Sequence, residues 1–272
     1  VARVFLAPGR NAVFSEHAFA MYPIFTQATG AESRVAAPLP PDHPVMPYGH
    51  DLTAMGSLVD ANTRVLFIAN PNNPTGTWLT QDDLVRLLDG LPEHVVVVLD
   101  EAYTEYVGAA DFPDGLQLLP LYPNLILTRT FSKIYGLAGL RVGYGIANPE
   151  LTGLISRVRH PFNVNSPALA AAEAALADQS FLERSVEVNR QGLLQLHEGF
   201  AALGLQHIPS VANFVSVDLR RSGAEVNDLL LREGVVVRPV ANYGLPQHLR
   251  VTVGTAGENA RFLQALAKVM HR

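Results

Sequence analysis

Three short apolar runs constrain this chain more than any other feature: residues 63–69, 95–99 and 125–127. None alternates polar with apolar. A continuous apolar run of this length reads as a strand buried on both faces, which needs a parallel sheet covered by helices. Each run ends in a polar tip. Asn70-Pro71-Asn72-Asn73-Pro74-Thr75-Gly76-Thr77 follows the first, Asp100-Glu101-Ala102-Tyr103 the second, and Thr130 to Lys133 lie just beyond the third. The prolines of the first tip remove donors and restrict their predecessors, so it is neither helix nor central strand. Thr80-Gln81-Asp82-Asp83 has capping-box form and opens a helix through Leu88. Residues 140–146 read as a fourth strand. The predicted class is α/β, a mostly parallel sheet flanked by helices. Its polar tips lie along one edge, where open sheets of this kind bind ligands.

Lysine usage narrows the chemistry. Twenty residues are Lys or Arg, but only Lys133 and Lys268 are lysines. Lys268 sits on 260–269, whose spacing reads as a terminal amphipathic helix, and there it is a solvated end charge. Lys133 has the hydroxyls of Thr130 and Ser132 and the guanidinium of Arg141 in the same segment. A lysine amine becomes a nucleophile when burial or a neighbouring cation lowers its pKa. Hydroxyls and an arginine fork suit a phosphate dianion. Together they point to a nucleotide or to pyridoxal phosphate, with a surface lysine in a turn as the bland reading. Gly-x-x-x-x-Gly-Lys-[Ser/Thr] is absent, and Gly136 and Gly139 follow the lysine, which removes the nucleotide. Asp100 follows a run of aliphatic residues and is costly to bury unpaired. A pyridinium nitrogen is one partner that would satisfy it. Glu101 reads as a solvated neighbour without a role, His43 and His50 as loop residues in a proline-rich stretch, and Phe19 as core.

The segment Thr-x-Ser-Lys-x-x-Gly-Leu-Ala-Gly-Leu-Arg-x-Gly-Tyr at 130–144 resembles the lysine segment of fold-type I aminotransferases, most of all the histidinol-phosphate aminotransferase family. Asn-Pro-x-Asn-Pro-Thr-Gly at 70–76, Asp100 with Tyr103, and Arg238-Pro239 with the stretch 244–254 follow in that family's order. The resemblance implies pyridoxal 5'-phosphate as cofactor, with Lys133 binding its aldehyde and acting as general base. It further implies Asp100 at the pyridinium, Asn70 and Tyr103 at the phenolic oxygen, and Phe19 over the ring. Ser132, Arg141 and Thr130 would hold the phosphate. Arg250, with Arg238, would bind amino donor and 2-oxoglutarate in turn. The implied reaction is histidinol-phosphate transamination in histidine biosynthesis. An aromatic amino-acid aminotransferase and a phosphothreonine-type decarboxylase are the related alternatives, and a homodimer is implied by the family alone.

The remaining features bound this reading. With 272 residues, 48% of them hydrophobic, the chain has ample core-forming material. A net charge of −5 argues against a nucleic-acid surface. The absence of cysteine removes disulfides and thiolate metal sites and is compatible with a cytoplasmic enzyme. No metal motif, membrane span or signal peptide is visible. Residues 149–159 read as a helix and 168–203 as helix broken near 178–180. Beyond them, 213–217, 235–238 and 249–253 read as strands, with a helix at 224–232. The expected division is a large cofactor-binding domain at 1–160 and a smaller α+β domain at 161–272. The opening residues resemble the end of a helix, so the family's N-terminal segment is expected to be missing. A non-catalytic fragment is therefore a third alternative.

Overall fold

The computed structural model describes residues 1–271. Along the chain come α1 (Ala2–Phe5), β1 (Asn11–Ser15), α2 (Met21–Ala28), β2 (Glu32–Ala36), α3 (Leu52–Ser57), β3 (Thr63–Ala69), α4 (Gln81–Gly90), β4 (Val96–Asp100), α5 (Gly115–Leu118), β5 (Leu125–Thr130) and β6 (Gly143–Ala147). Then follow α6 (Pro149–Val158), α7 (Ser166–Ala177), α8 (Gln179–Ala202), β7 (Gln206–His207), β8 (Phe214–Asp218), α9 (Gly223–Arg232), β9 (Arg238–Val240), β10 (Leu245–Thr252) and α10 (Ala256–Met270). Among the described residues no helix is long and apolar enough to cross a membrane.

The first sheet runs β2-β1-β3-β4-β5-β6, parallel except for β6. Alternate residues of its central strands enter opposite cores. Leu66, Ile68, Val97, Leu99, Leu125 and Leu127 pack with Leu84 and Leu88 of α4, while Phe14, Phe67 and Val98 pack with Tyr22 of α2. Full burial of a Leu or Val side chain contributes roughly 1.5–3 kcal/mol, so these strands are fixed in depth. Register then fixes their ends: Ala69 lies opposite Asp100, and Asp100 opposite Thr128. The polar tips of β3, β4 and β5 are thus level at one edge.

The second sheet, β7-β8-β10-β9, is antiparallel. Val215, Val217, Leu249 and Val251 form one buried face with Leu196, Phe200, Leu230, Phe262 and Leu266 from its helices.

Four details differ from the sequence reading. The strand predicted at 140–146 begins only at Gly143, because Ala138–Leu140 form a 3-10 turn and Arg141 adopts a left-handed φ of 56°. A Cβ at Gly143 would lie 2.7 Å from the carbonyl oxygen of Arg129, so pairing with β5 needs glycine there. The strand predicted at 235–238 is shifted to Arg238–Val240, where pairing with β10 begins, and Val236 is largely exposed. The edge strands β2 and β7 carry too little apolar pattern to be read. Glu32-Ser33-Arg34 is mostly polar, and β7 is two residues long.

Candidate active site at the carboxyl edge of the first sheet

A cavity of about 410 Å³ opens where the tips of β3, β4 and β5 converge. Its wall includes Phe19, Asn73, Asp100, Tyr103, Thr130, Ser132, Lys133 and Arg141. Its volume is in the range of small-molecule sites. A larger cavity, about 790 Å³, lies between α3, α4 and the proline-rich loop and contains none of these residues. The clustered amine, carboxylate and guanidinium make the smaller one the candidate reactive site.

Asp100 is placed there by the last residue of β4. Its Oδ2 accepts a hydrogen bond from the hydroxyl of Tyr22 at 2.9 Å, and the Ala102 N–H and the Thr128 hydroxyl also donate to it. Burial raises its pKa, with these three donors and the charge of Lys133 opposing. Lys133, on the loop after β5, has its Nζ 5.0 Å from the ring centre of Tyr103. Burial lowers its pKa; the charges of Arg250 and Arg141 add to that, and Asp100 opposes it. Tyr103 is buried and its phenol is pushed up to about 12, chiefly by burial, so it remains a hydroxyl at neutral pH.

The Lys133 loop also shapes a polar corner. Ser132 N–H donates to Thr130 Oγ1 at 3.1 Å, and Arg141 Nη1 donates to Ala138 O at 2.7 Å and to Ser132 Oγ at 3.4 Å. Opposite, Phe19 is half-buried with an edge-on contact to Tyr22 at 5.9 Å, so it is a cavity wall more than core.

The second sheet does not line the cavity but reaches its wall residue Asn73 through Arg250. Arg250, on β10, lies over the ring of Phe214 at 4.9 Å, and its Nη1 donates to Asn73 Oδ1 at 2.5 Å. Phe214 in turn meets Tyr103 edge-on at 5.2 Å. The Arg250 Nε is buried without a protein partner. The approach of the two sheets is tight around this contact. Ser216 Oγ donates to Pro74 O at 2.6 Å, and any Cβ at Gly76 would collide with Ser210.

Three assignments change. Asn70 is absent from the cavity wall: its Oδ1 accepts from Leu79 N–H at 2.9 Å, and the asparagine on the wall is Asn73. Glu101 is not solvated. It is 1% exposed and paired with Arg129 Nε at 2.8 Å, because alternation at the end of β4 sends it to the opposite side from Asp100. Arg238 is exposed; it pairs with Arg250 in register on a neighbouring strand, and only Arg250 reaches Asn73. His50, read as a loop residue, is buried and bonded to Ala69 O at 3.0 Å, which helps to pin the end of β3. Tyr22 is the site residue that sequence reasoning passed over. Its position three residues after Phe19, at the entry to a predicted helix, was the available signal.

The model for aminotransferase class I and II matches residues 1–266. "Histidinol-phosphate aminotransferase 2" of Pseudomonas fluorescens (strain Pf0-1) is 60% identical over 272 residues, covering 100% of this chain and 72% of that protein. This chain belongs to the histidinol-phosphate aminotransferase family. A second member, "Histidinol-phosphate aminotransferase 1" of Nitrosococcus oceani, is 55% identical over 269 residues, covering 99% of this chain and 71% of the relative. The solved histidinol-phosphate aminotransferase of Sinorhizobium meliloti, in complex with pyridoxal-5'-phosphate, superposes with a TM-score of 0.90 at 28% identity, over 99% of this aminotransferase and 73% of that chain. The match spans both sheets of the aminotransferase, so the fold is that of fold-type I.

Proposed function

We propose that this chain is a histidinol-phosphate transaminase that uses pyridoxal 5'-phosphate to exchange an amino group between L-histidinol phosphate and 2-oxoglutarate, a step of histidine biosynthesis. The observation that carries the proposal is the convergence of Asp100 from the end of β4 with Lys133 and Arg141 from the loop after β5 on one small cavity, whose wall residue Asn73 is held by Arg250 of β10. The residues present fit the cofactor: a buried carboxylate for its ring nitrogen, hydroxyls and a guanidinium for its phosphate, and an amine of lowered pKa for its aldehyde. When bound, that group supplies an electron sink next to the amino group being exchanged.

The protein's own groups divide the remaining work. Asp100 holds negative charge toward the ring nitrogen. Tyr103 and Asn73, the latter in place of Asn70, serve the phenolic oxygen, and Phe19 covers the ring. Ser132, Thr130 and Arg141 bind the phosphate. Lys133 Nζ, its pKa lowered by burial and two nearby arginines, takes and returns the proton that moves during exchange. Arg250 forks onto the anionic group of each substrate in turn, and Arg238, its register partner on β9, adds positive charge beside it.

We also propose the division into a large domain at 1–160 and a smaller one at 161–272, which the two separate hydrophobic cores support. A homodimer is proposed with it. Fully exposed Phe162 and half-exposed Leu169 and Leu176 support an association surface near α7. A cytoplasmic location accords with a cysteine-free chain.

The test is reduction with borohydride after addition of pyridoxal phosphate, followed by peptide mapping, alongside assays with L-histidinol phosphate and with aromatic amino acids. Label on Lys133 and turnover of histidinol phosphate without loss of carbon dioxide are expected. Label on Lys268, preferential turnover of an aromatic amino acid, or carbon dioxide release would overturn the reading.

A further inference from the structure

Tyr22 lies on α2, away from every motif that carries the family resemblance. Its ring stacks on Phe67 of β3, with centroids 4.8 Å apart and planes 8° apart, and it meets Phe14 and Phe19 at the sides. The side chain is 5% exposed and held on several sides by apolar rings. One polar atom is left to it, and that hydroxyl donates to Asp100 Oδ2 at 2.9 Å. Burial, then the charge of Asp100, drives the phenol well above its ordinary pKa, so the hydroxyl remains a donor at every working pH.

We infer that Tyr22 is a positioning residue for Asp100, holding its carboxylate ionised and in one orientation toward the reaction centre. This rests on the assignment of Asp100 proposed above. The physical argument is local. Asp100 is buried, and burial alone favours the protonated acid, which could not serve a pyridinium. Three donors oppose that tendency: the Tyr22 hydroxyl, the Ala102 N–H and the Thr128 hydroxyl. Ala102 is next but one along the chain and donates through its backbone, and Thr128 is the register partner on β5 and donates through its side chain. Tyr22 is the donor supplied from outside the strand tips. The titratable groups facing Asp100 are Lys133, Tyr22 and Tyr103, and Lys133 is the one cation among them.

The experiment is Tyr22→Phe, which deletes one oxygen and keeps the stacked ring. In the cofactor-free protein, the Asp100 carboxyl is followed by isotope-edited infrared difference against Asp100→Asn. Its titration is expected to move upward in Tyr22→Phe. In the loaded enzyme, kcat is expected to fall roughly 10- to 100-fold, the worth of one hydrogen bond to a charged group, with KM within about twofold. In an Asp100→Asn background the same substitution is expected to change kcat by less than twofold. An unmoved Asp100 titration, or an equal loss of kcat in the Asp100→Asn background, would overturn the inference. Full turnover by Asp100→Asn alone would instead overturn the role given to Asp100, while the infrared shift would still report the Tyr22 bond.

Discussion

The two sheets use opposite solutions to the same problem. In the six-stranded sheet the strands are parallel and buried on both faces, so polar chemistry is confined to their carboxyl ends, where Ala69, Asp100 and Thr128 stand level. In the four-stranded sheet the strands are antiparallel, and it sends two mid-strand side chains across the boundary, Arg250 to Asn73 and Ser216 to Pro74. The first arrangement collects groups from distant parts of the chain at one edge and holds them rigidly. The second delivers a long, charged side chain from a separate core. On the proposed assignments the two sheets divide the labour: the parallel sheet would carry the reacting groups, and the antiparallel sheet recognition of the substrate anion.

The strongest way to break this comparison is Lys133→Ala. Only the parallel sheet loses a reacting group, so kcat is expected to fall at least about 10⁴-fold, since both the cofactor's attachment and its general base are removed. Melting temperature should change little, because Lys133 sits on a loop outside either core. Steady-state kinetics and a thermal melt check both statements. Residual kcat within about 10² of the parent would place the chemistry elsewhere.

Acid stability separates the sheets next. His50, fully buried beside β3, has its pKa lowered from 6.5 to about 4, mainly by burial. The folded state therefore disfavours the charged ring, whereas the unfolded chain binds a proton near pH 6.5. The stability that neutral His50 contributes is present above pH 6.5 and is lost as pH falls towards 4, a total of about 3 kcal/mol. His207 of β7 is lowered to about 4 as well, by burial and then by stacked His197, but it is half-exposed and its effect is smaller. Urea melts between pH 7 and 4 should therefore lose most of this slope in His50→Gln and little of it in His207→Gln. The reverse ranking would move the acid-sensitive element to the antiparallel sheet.

Arg250→Ala probes the other half of the division. It removes the fork and leaves Asn73 unpaired. KM for the anionic substrates is expected to rise roughly 10- to 100-fold, the worth of hydrogen bonds to a charged group, with a smaller effect on kcat. Arg238→Ala, on the neighbouring strand but exposed, should change KM by less than about threefold. If the two variants behave alike, recognition is spread over a general positive field and does not reside in the Arg250–Asn73 contact.

Much of this arrangement was legible from the chain alone, for a definite reason. Val96-Val97-Val98-Leu99 cannot face water on either side, and an aspartate immediately after it has to be at a strand end. The same reasoning located Tyr103 and Lys133. What was not legible depends on which way a side chain turns. Asn70 and Asn73 flank the same two residues, and sequence cannot say which amide is consumed by Leu79 N–H. Asp100 and Glu101 are adjacent acids, and the pleat sends them to opposite sides. Tyr22 was hidden because its partner, Asp100, is 78 positions away, and only the packing of α2 on β3 brings them together.

The smallest effect tests the segment that joins the two sheets. After α6 the chain crosses residues 159–165 and re-enters helix at α7, where Asn165 accepts from Ala168 N–H at 2.8 Å, with Pro167 in the first turn. Nothing in that segment belongs to the cavity wall, and α7 rests on the Phe131–Val142 cluster through Ala168 and Ala172. If the joint is structural and the chemistry lies in the parallel sheet, Asn165→Ala should cost about 1 kcal/mol through loss of the cap. It should leave kcat and KM unchanged. Asn165→Asp keeps an oxygen at the same place and adds a negative charge at the positive end of the helix, so its stability should match or slightly exceed the parent. Chemical denaturation of the three proteins distinguishes the cases. Equal losses in both variants would mean that Asn165 acts through its Nδ2, which reaches toward Leu140 O at 3.5 Å beside the Lys133 loop. A fall in kcat alongside would then tie the joint to the reacting groups and blur the division between the sheets.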